Sequence, residues 1–326
     1  DPLLTNDVKA QKKWVNNILK KMTVEEKIGQ LFIVQAYSTN DTLNEKKVEK
    51  LIKKYHAGSL IFMQGNPQKQ AELTNKYQAM SKYPLLVSID AEWGLDMRLK
   101  NAFRYPWNMT LGAIRDNSLI EKFGEQLGKH CKRLGIHINF APVVDININP
   151  KNPIIGNRSF GENKNNVTDK AIALTRGMQR FGVMANAKHF PGHGDTAADS
   201  HHTLPVVNFD MKRLDSLELY PYYRLFDENI GSVMTAHMSI PKLGPNTKLP
   251  SSLSKKITTD LLKKKMGYKG LIITDGLNMK AAADFASSKE INLAAILAGN
   301  DLLLIPHEVP GTTAYFLKAI KNTKLT

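Results

Sequence analysis

The chain has 326 residues, 42% hydrophobic and 23% charged, a globular balance that excludes a disordered or collagen-like protein. Its one cysteine, Cys131, excludes an intrachain disulfide and a thiolate-rich zinc site. The formal net charge is +15, but the pairs Lys12-Lys13, Lys20-Lys21, Lys46-Lys47 and Lys53-Lys54 and the run at 263–265 sit on helical patterns and read as solvated faces. No zinc-finger spacing or RNP-like strand accompanies them, so no nucleic-acid partner is expected. No stretch of about 18 apolar residues occurs, so no membrane span is expected either.

In chain order, Asp7–Lys21 reads as a leading helix, and Thr23-Val24-Glu25-Glu26 as a capping box that opens the next element. Eight short apolar runs follow: Ile28–Gln35, Ser59–Gln64, Leu85–Asp90, Ile136–Ile146, Val183–Phe190, Ser232–His237, Gly270–Asp275 and Asp301–Pro306. Amphipathic stretches such as Gln68–Ser81, Ser118–Leu134, Asn166–Arg180 and Ser254–Met266 lie between them. Near-continuous apolar strands joined by helix-length connections predict a parallel sheet covered on both faces. Eight such units predict an α/β fold, a (β/α)8 TIM-type barrel, as a single domain over residues 1–326. A doubly wound sheet is the second reading, but no Gly-x-Gly-x-x-Gly turn follows the first strand. Thr312–Lys324 closes the eighth unit; a further C-terminal domain after Thr326 is compatible with that ending, and a start at Asp1 is expected of a processed form.

In a barrel the loops after the strands build the site, and here the strand ends are polar. Strand three ends in Asp90, followed by Glu92 and Arg98; strand five in Lys188-His189; strand six in His237; strand seven in Asp275. The segment from Lys188 to His202 holds four histidines and two aspartates on a Gly- and Pro-rich loop. That composition is open to a metal site or to acid/base chemistry in which an Asp orients a His. The loop context disfavours a helical His-Glu-x-x-His zinc site. His193 and His202 individually read as structural or solvent-facing, and His237 as lying near the site without a role of its own.

Lys188–His201, K-H-F-P-G-H-G-D-T-A-A-D-S-H, resembles the signature of glycoside hydrolase family 3, and more narrowly its β-N-acetylglucosaminidase (NagZ-type) branch. Asp90-Ala91-Glu92-Trp93-Gly94 with Arg98, Asn157–Glu162 and Ile273–Met279 are similar to other segments of that family, which usually has Gly where Trp93 stands. The resemblance implies retaining hydrolysis of terminal, non-reducing β-linked N-acetylglucosamine. In that pattern Asp275 is the nucleophile, and His201 paired with Asp199 is the acid/base. Asp90, Arg98, Arg158, Lys188 and His189 grip the sugar hydroxyls. No metal or organic cofactor is implied. The partner is a carbohydrate, N-acetylglucosamine-containing cell-wall fragments, met in a bacterial periplasm, outside the cell or in the cytosol. A β-glucosidase or an N-acetylglucosaminide phosphorylase is the alternative enzyme, and a non-catalytic wall-binding barrel the alternative of another class.

Overall fold

The structure is a computed structural model that describes residues 5, 7–200, 203–243, 249–323 and 325. Eight parallel strands form one sheet: β1 (Phe32–Ser38), β2 (Ser59–Gly65), β3 (Leu86–Ile89), β4 (Ile138–Asn139), β5 (Met184–Phe190), β6 (Ser232–Thr235), β7 (Leu271–Thr274) and β8 (Leu303–Leu304). From β1 to β7 each strand pairs with the next in sequence, and β8 pairs back onto β1. A parallel bridge between Ile273 and Leu302 draws the last edge together, so the sheet is a nearly closed (β/α)8 barrel. At least one helix follows every strand, from Thr42–Tyr55 after β1 to Val309–Lys321 after β8.

The period of two along the strands builds two layers of core. Phe32, Val34 and Ala36 of β1 and Leu60 and Phe62 of β2 pack outward beneath the helices, while Ile33 and Ile61 pack inward with Ile138, Phe140, Met234, Ile273 and Leu304. The barrel is therefore filled, and only its rim is open for chemistry.

Three sequence boundaries shift. The apolar run from Ile28 is split, because the Thr23 capping box starts a helix, Val24–Gly29, that buries Ile28, and β1 begins only at Phe32. The run Ile136–Ile146 forms a strand only at Ile138–Asn139 and pairs again as a single bridge between Val143 and Lys188; Pro142 between them has no N–H to donate. The eighth run pairs with β1 at Leu303–Leu304 and bridges to Ile273 through Leu302, and Ile305 then turns with a φ of 48°.

Helices Asn117–Arg133 and Lys164–Arg180 pack through glycines: a Cβ on Gly177 would lie 2.3 Å from the Glu121 carbonyl oxygen, and one on Gly124 2.5 Å from that of Leu174. In an exposed helix Gly→Ala stabilises by about 1 kcal/mol. Here Gly177→Ala is expected to destabilise by about 1–3 kcal/mol, the range for overpacking, as measured by urea unfolding.

Candidate active site

The strand ends converge as the sequence predicts. Asp90 and Glu92 follow β3, Lys188 and His189 end β5, and Asp275 follows β7. Adjacent strand residues normally point to opposite faces. Lys188 and His189 nevertheless both reach the cavity, because the pairing of β5 with β6 shifts register between Ala187 and Phe190.

These groups form a chain of alternating charge. Arg98 Nη2 lies 2.5 Å from Asp90 Oδ2, and Lys188 Nζ lies 2.9 Å from Asp90 Oδ1 and 2.7 Å from Glu92 Oε1. Arg158 binds Glu92 with both edges of its fork, Nε at 3.0 Å and Nη2 at 2.8 Å. Lys188 and Glu92 are almost wholly buried. Burial alone would raise the two carboxyls; Lys188 and Arg98 outweigh it at Asp90, and Arg158 and Lys188 hold Glu92 down at about 2.

Arg158 Nη2 also faces His189 Nε2 at 3.3 Å, and His189 Nδ1 lies 2.7 Å from Asp145 Oδ2. These partners select the tautomer in which Nδ1–H donates to the carboxylate and Nε2 accepts from the guanidinium. Asp145 further accepts the backbone N–H groups of His189, at 3.2 Å, and His193, at 2.6 Å. One buried carboxylate thus fixes the base of the β5 loop.

Asp275 is half-buried, and its Oδ1 accepts the N–H of Gly276 at 2.7 Å. Burial favours its neutral form, but His189, His237, that N–H and Lys188 together lower its pKa, so it is a carboxylate. His237 is wholly buried behind it. Its Nε2–H donates to the Gly276 carbonyl at 3.0 Å, and Nδ1 accepts from the Ser252 hydroxyl at 2.6 Å, which buttresses the turn holding Asp275.

The cavity enclosed by these groups measures about 260 Å³, below the ~300–1,000 Å³ of drug-sized sites and on the scale of one sugar ring. Trp93 forms part of its wall, packed at a tilt of 53° against Trp107 at 4.2 Å between ring centroids, with Arg104 over the second ring. A larger, mostly apolar cavity of about 530 Å³ lies between the rim of β1 and β8 and helix Thr42–Tyr55, apart from this charged cluster. Three cations (Arg98, Arg158, Lys188) and three carboxylates (Asp90, Glu92, Asp275) line the cavity, with Asp145 behind His189. Among the described residues no group of three His, Cys, Asp or Glu is placed to hold a metal.

Of the sequence-predicted site residues, Asp90, Arg98, Arg158, Lys188, His189 and Asp275 all line this cavity. Asp199 lies beside Ser200, which also lines it, while His201 and His202 lie outside the described residues. Of the two readings of His193, structural or solvent-facing, burial excludes the second: the loop folds inward, leaving it 2% exposed on the cavity wall. Sequence reasoning missed Asp145 and gave Glu92 no role. The signal for Asp145 was an acid inside the apolar run Pro142-Val143-Val144-Asp145-Ile146.

Comparison with known proteins fits this geometry. The profile of the glycosyl hydrolase family 3 N-terminal domain matches residues 23–326. The chain belongs to glycoside hydrolase family 3. It is 35% identical to a beta-hexosaminidase A of Pseudoalteromonas piscicida, over 80% of this chain and 47% of the relative. It is 32% identical to a beta-hexosaminidase of Nitrosomonas eutropha, over 81% and 77%. Among solved structures it resembles a family 3 beta-N-acetylglucosaminidase from Paenibacillus sp. (TM-score 0.87, 36% identity, 94% of this chain and 59% of that one). It also resembles a beta-glucoside phosphorylase (TM-score 0.92, 25% identity, 99% and 58%). The chain spans about half the length of the Pseudoalteromonas relative and under two thirds of these two structures.

In this family 3 barrel Lys188 is the cation shared by two buried carboxylates. Lys188→Met is expected to cost about 3–5 kcal/mol in chemical denaturation, the penalty for leaving buried charge uncompensated. His193 yields a pH prediction. Burial lowers its pKa from 6.5 to about 4, against the raising effect of Asp145, so the fold holds it neutral. Between those values the unfolded chain binds the extra proton, so stability falls as pH falls from 6.5 to about 4, by on the order of 3 kcal/mol. Unfolding free energies measured across that window should be flatter for His193→Asn than for the wild type.

Proposed function

We propose that this chain hydrolyses terminal, non-reducing β-linked N-acetylglucosamine with retention. The observation that carries the reading is an ionised carboxylate, Asp275, across the cavity from a cluster of charged hydrogen-bonding groups. β3 and β7 are four strands apart in an eight-stranded barrel, so Asp275 stands opposite Asp90, Glu92 and Arg98. A sugar held by its hydroxyls on Asp90, Arg98, Lys188, Arg158 and His189 presents its anomeric carbon to Asp275. Charged partners make those hydrogen bonds strong and directional. The Asp275 carboxylate on the cavity wall favours the positive charge that develops in an oxocarbenium-like transition state.

In the first half-reaction an Asp275 oxygen bonds to the anomeric carbon as the glycosidic C–O bond breaks, and His201 gives its proton to the departing oxygen. In the second, His201 takes a proton from water, the water oxygen attacks the anomeric carbon and the Asp275 carboxylate leaves. Asp199 orients His201 and raises its proton affinity. The placement of the adjoining segment supports this: Ser200 lines the cavity with Asp275, and its carbonyl accepts the N–H of Ala281, just past β7, at 3.3 Å. The names of the hexosaminidase relatives support the choice of sugar. As the source we propose anionic cell-wall fragments in the bacterial envelope or cytosol, whose approach the +15 charge would steer. The likeness to a beta-glucoside phosphorylase favours a second reading, in which phosphate replaces water in the second half-reaction.

Nitrophenyl β-glycosides assayed with and without phosphate separate these readings by sugar and acceptor. Asp275→Asn is expected to lower turnover roughly 10³-fold or more, and a fluorinated substrate analogue to label Asp275 in the wild type. His201→Ala should lose about 10²-fold more on a disaccharide than on the nitrophenyl glycoside when glycosylation is followed in a single turnover. Labelling of another carboxylate, or equal losses for His201→Ala on both substrates, rejects the assignment concerned.

A further inference from the structure

One side chain on the cavity wall has no part in the chemistry above. The backbone N–H of His193 donates to Asp145, and its carbonyl accepts from Asn152 Nδ2 at 2.8 Å. Its Nδ1 lies 2.7 Å from Thr196 Oγ1, and that hydroxyl in turn lies 3.1 Å from the His193 carbonyl oxygen. A hydroxyl carries one proton. Donated to the carbonyl, it leaves the Thr196 oxygen to accept from Nδ1–H, which makes Nε2 a bare lone pair. Nε2 is buried and has no hydrogen-bond partner, although the residue borders the cavity that holds Asp275. A polar nitrogen sealed from water without a partner is unfavourable unless a ligand completes it. Burial also keeps this ring neutral, so the lone pair persists at a pH where an acid/base histidine titrates.

The chemistry of the sugar narrows what Nε2 can meet. The ring lies 6.0 Å from that of His189, centroid to centroid, lines the same cavity as Asp275 and is near enough to feel its charge. Asp275 faces the anomeric carbon in the reading proposed above, on which this inference rests. That carbon has three neighbours carrying heteroatoms. The ring oxygen and the glycosidic oxygen have no proton, and a lone pair facing them is repelled. The substituent on the adjacent carbon, C2, is a donor, whether an acetamido N–H or a hydroxyl. We infer that His193 is a substrate-contact residue whose Nε2 accepts a hydrogen bond from the C2 substituent of the bound sugar, with Thr196 fixing the tautomer. The bond orients that substituent beside the reacting carbon and selects for a donor there.

The test compares kcat/KM for nitrophenyl β-glycosides of N-acetylglucosamine, glucose and 2-deoxyglucose, the last lacking any C2 donor. His193→Asn keeps an amide near the Nδ1 position and removes Nε2; His193→Gln places an amide where Nε2 stood. His193→Asn is expected to lose about 10–100-fold on the first two substrates and under about threefold on the third, with partial recovery in His193→Gln. Equal losses on all three, or no loss on any, overturn the inference. If His193→Asn does not fold, Thr196→Val carries the test, with a smaller loss confined to the same two substrates expected and an equal loss on all three rejecting it. A wild type that cleaves none of the three rejects the glycosidase reading instead. NMR titration of N-acetylglucosamine and 2-deoxyglucose into the wild type and His193→Asn then decides the contact, which fails if the preference for the first sugar is unchanged.

Discussion

The Lys188 ammonium, held between Asp90 and Glu92, is the interaction on which the site depends. It comes from β5, while both carboxylates follow β3, so it ties together strands that are not neighbours, with β4 between them. Each carboxylate then holds an arginine, Arg98 on one side and Arg158 on the other. No member of the chain can be removed without exposing a buried charge of the other sign, which is costly in a dry rim. Such a network is stiff, and stiffness is what a pocket needs to present hydroxyl-binding groups in fixed positions without reorganising around a ligand.

Histidine is used in this site at three levels of constraint. His237 is wholly buried behind the Asp275 turn and holds a backbone carbonyl. His189 is clamped between a carboxylate and a guanidinium. His193 borders the cavity, anchored through Nδ1, with its Nε2 buried and without a partner. The same imidazole serves as a strut, a relay of hydrogen bonds and a contact surface because its two nitrogens can be committed separately.

Much of this was legible in the sequence. An apolar strand whose last residue is ionisable announces a site residue, and Asp90, Lys188 and Asp275 were read that way. Glu92 and Asp145 were less visible, because the partners that explain them, Arg158 and His189, lie 66 and 44 residues away in the chain. The inward path of the loop at His193 was hidden for the same reason: it depends on Asp145 collecting two backbone N–H groups. Local pattern likewise failed at Ile28, where one apolar run serves a helix and then a strand, and at Pro142, where strand pairing is interrupted within a continuous apolar run.

The grip of Asp145 on the β5 loop divides that loop by its tolerance for length. Between His189 and His193 both ends are hydrogen-bonded to one carboxylate, and Gly194 then passes so close to Ile146 that a Cβ there would lie 2.0 Å from its carbonyl oxygen. An insertion or deletion in this inner span breaks the clamp. Beyond Gly194 the chain is held again at the Asn149–Thr196 and Asn152–Thr196 contacts, and just past them Ala197 is exposed. Past Thr196 changes of length are accommodated without disturbing the charged cluster on the cavity wall. On the function proposed above, the architecture leaves the leaving-group side of the reaction free to diverge in evolution or be rebuilt by design, while the side that holds the terminal sugar stays fixed.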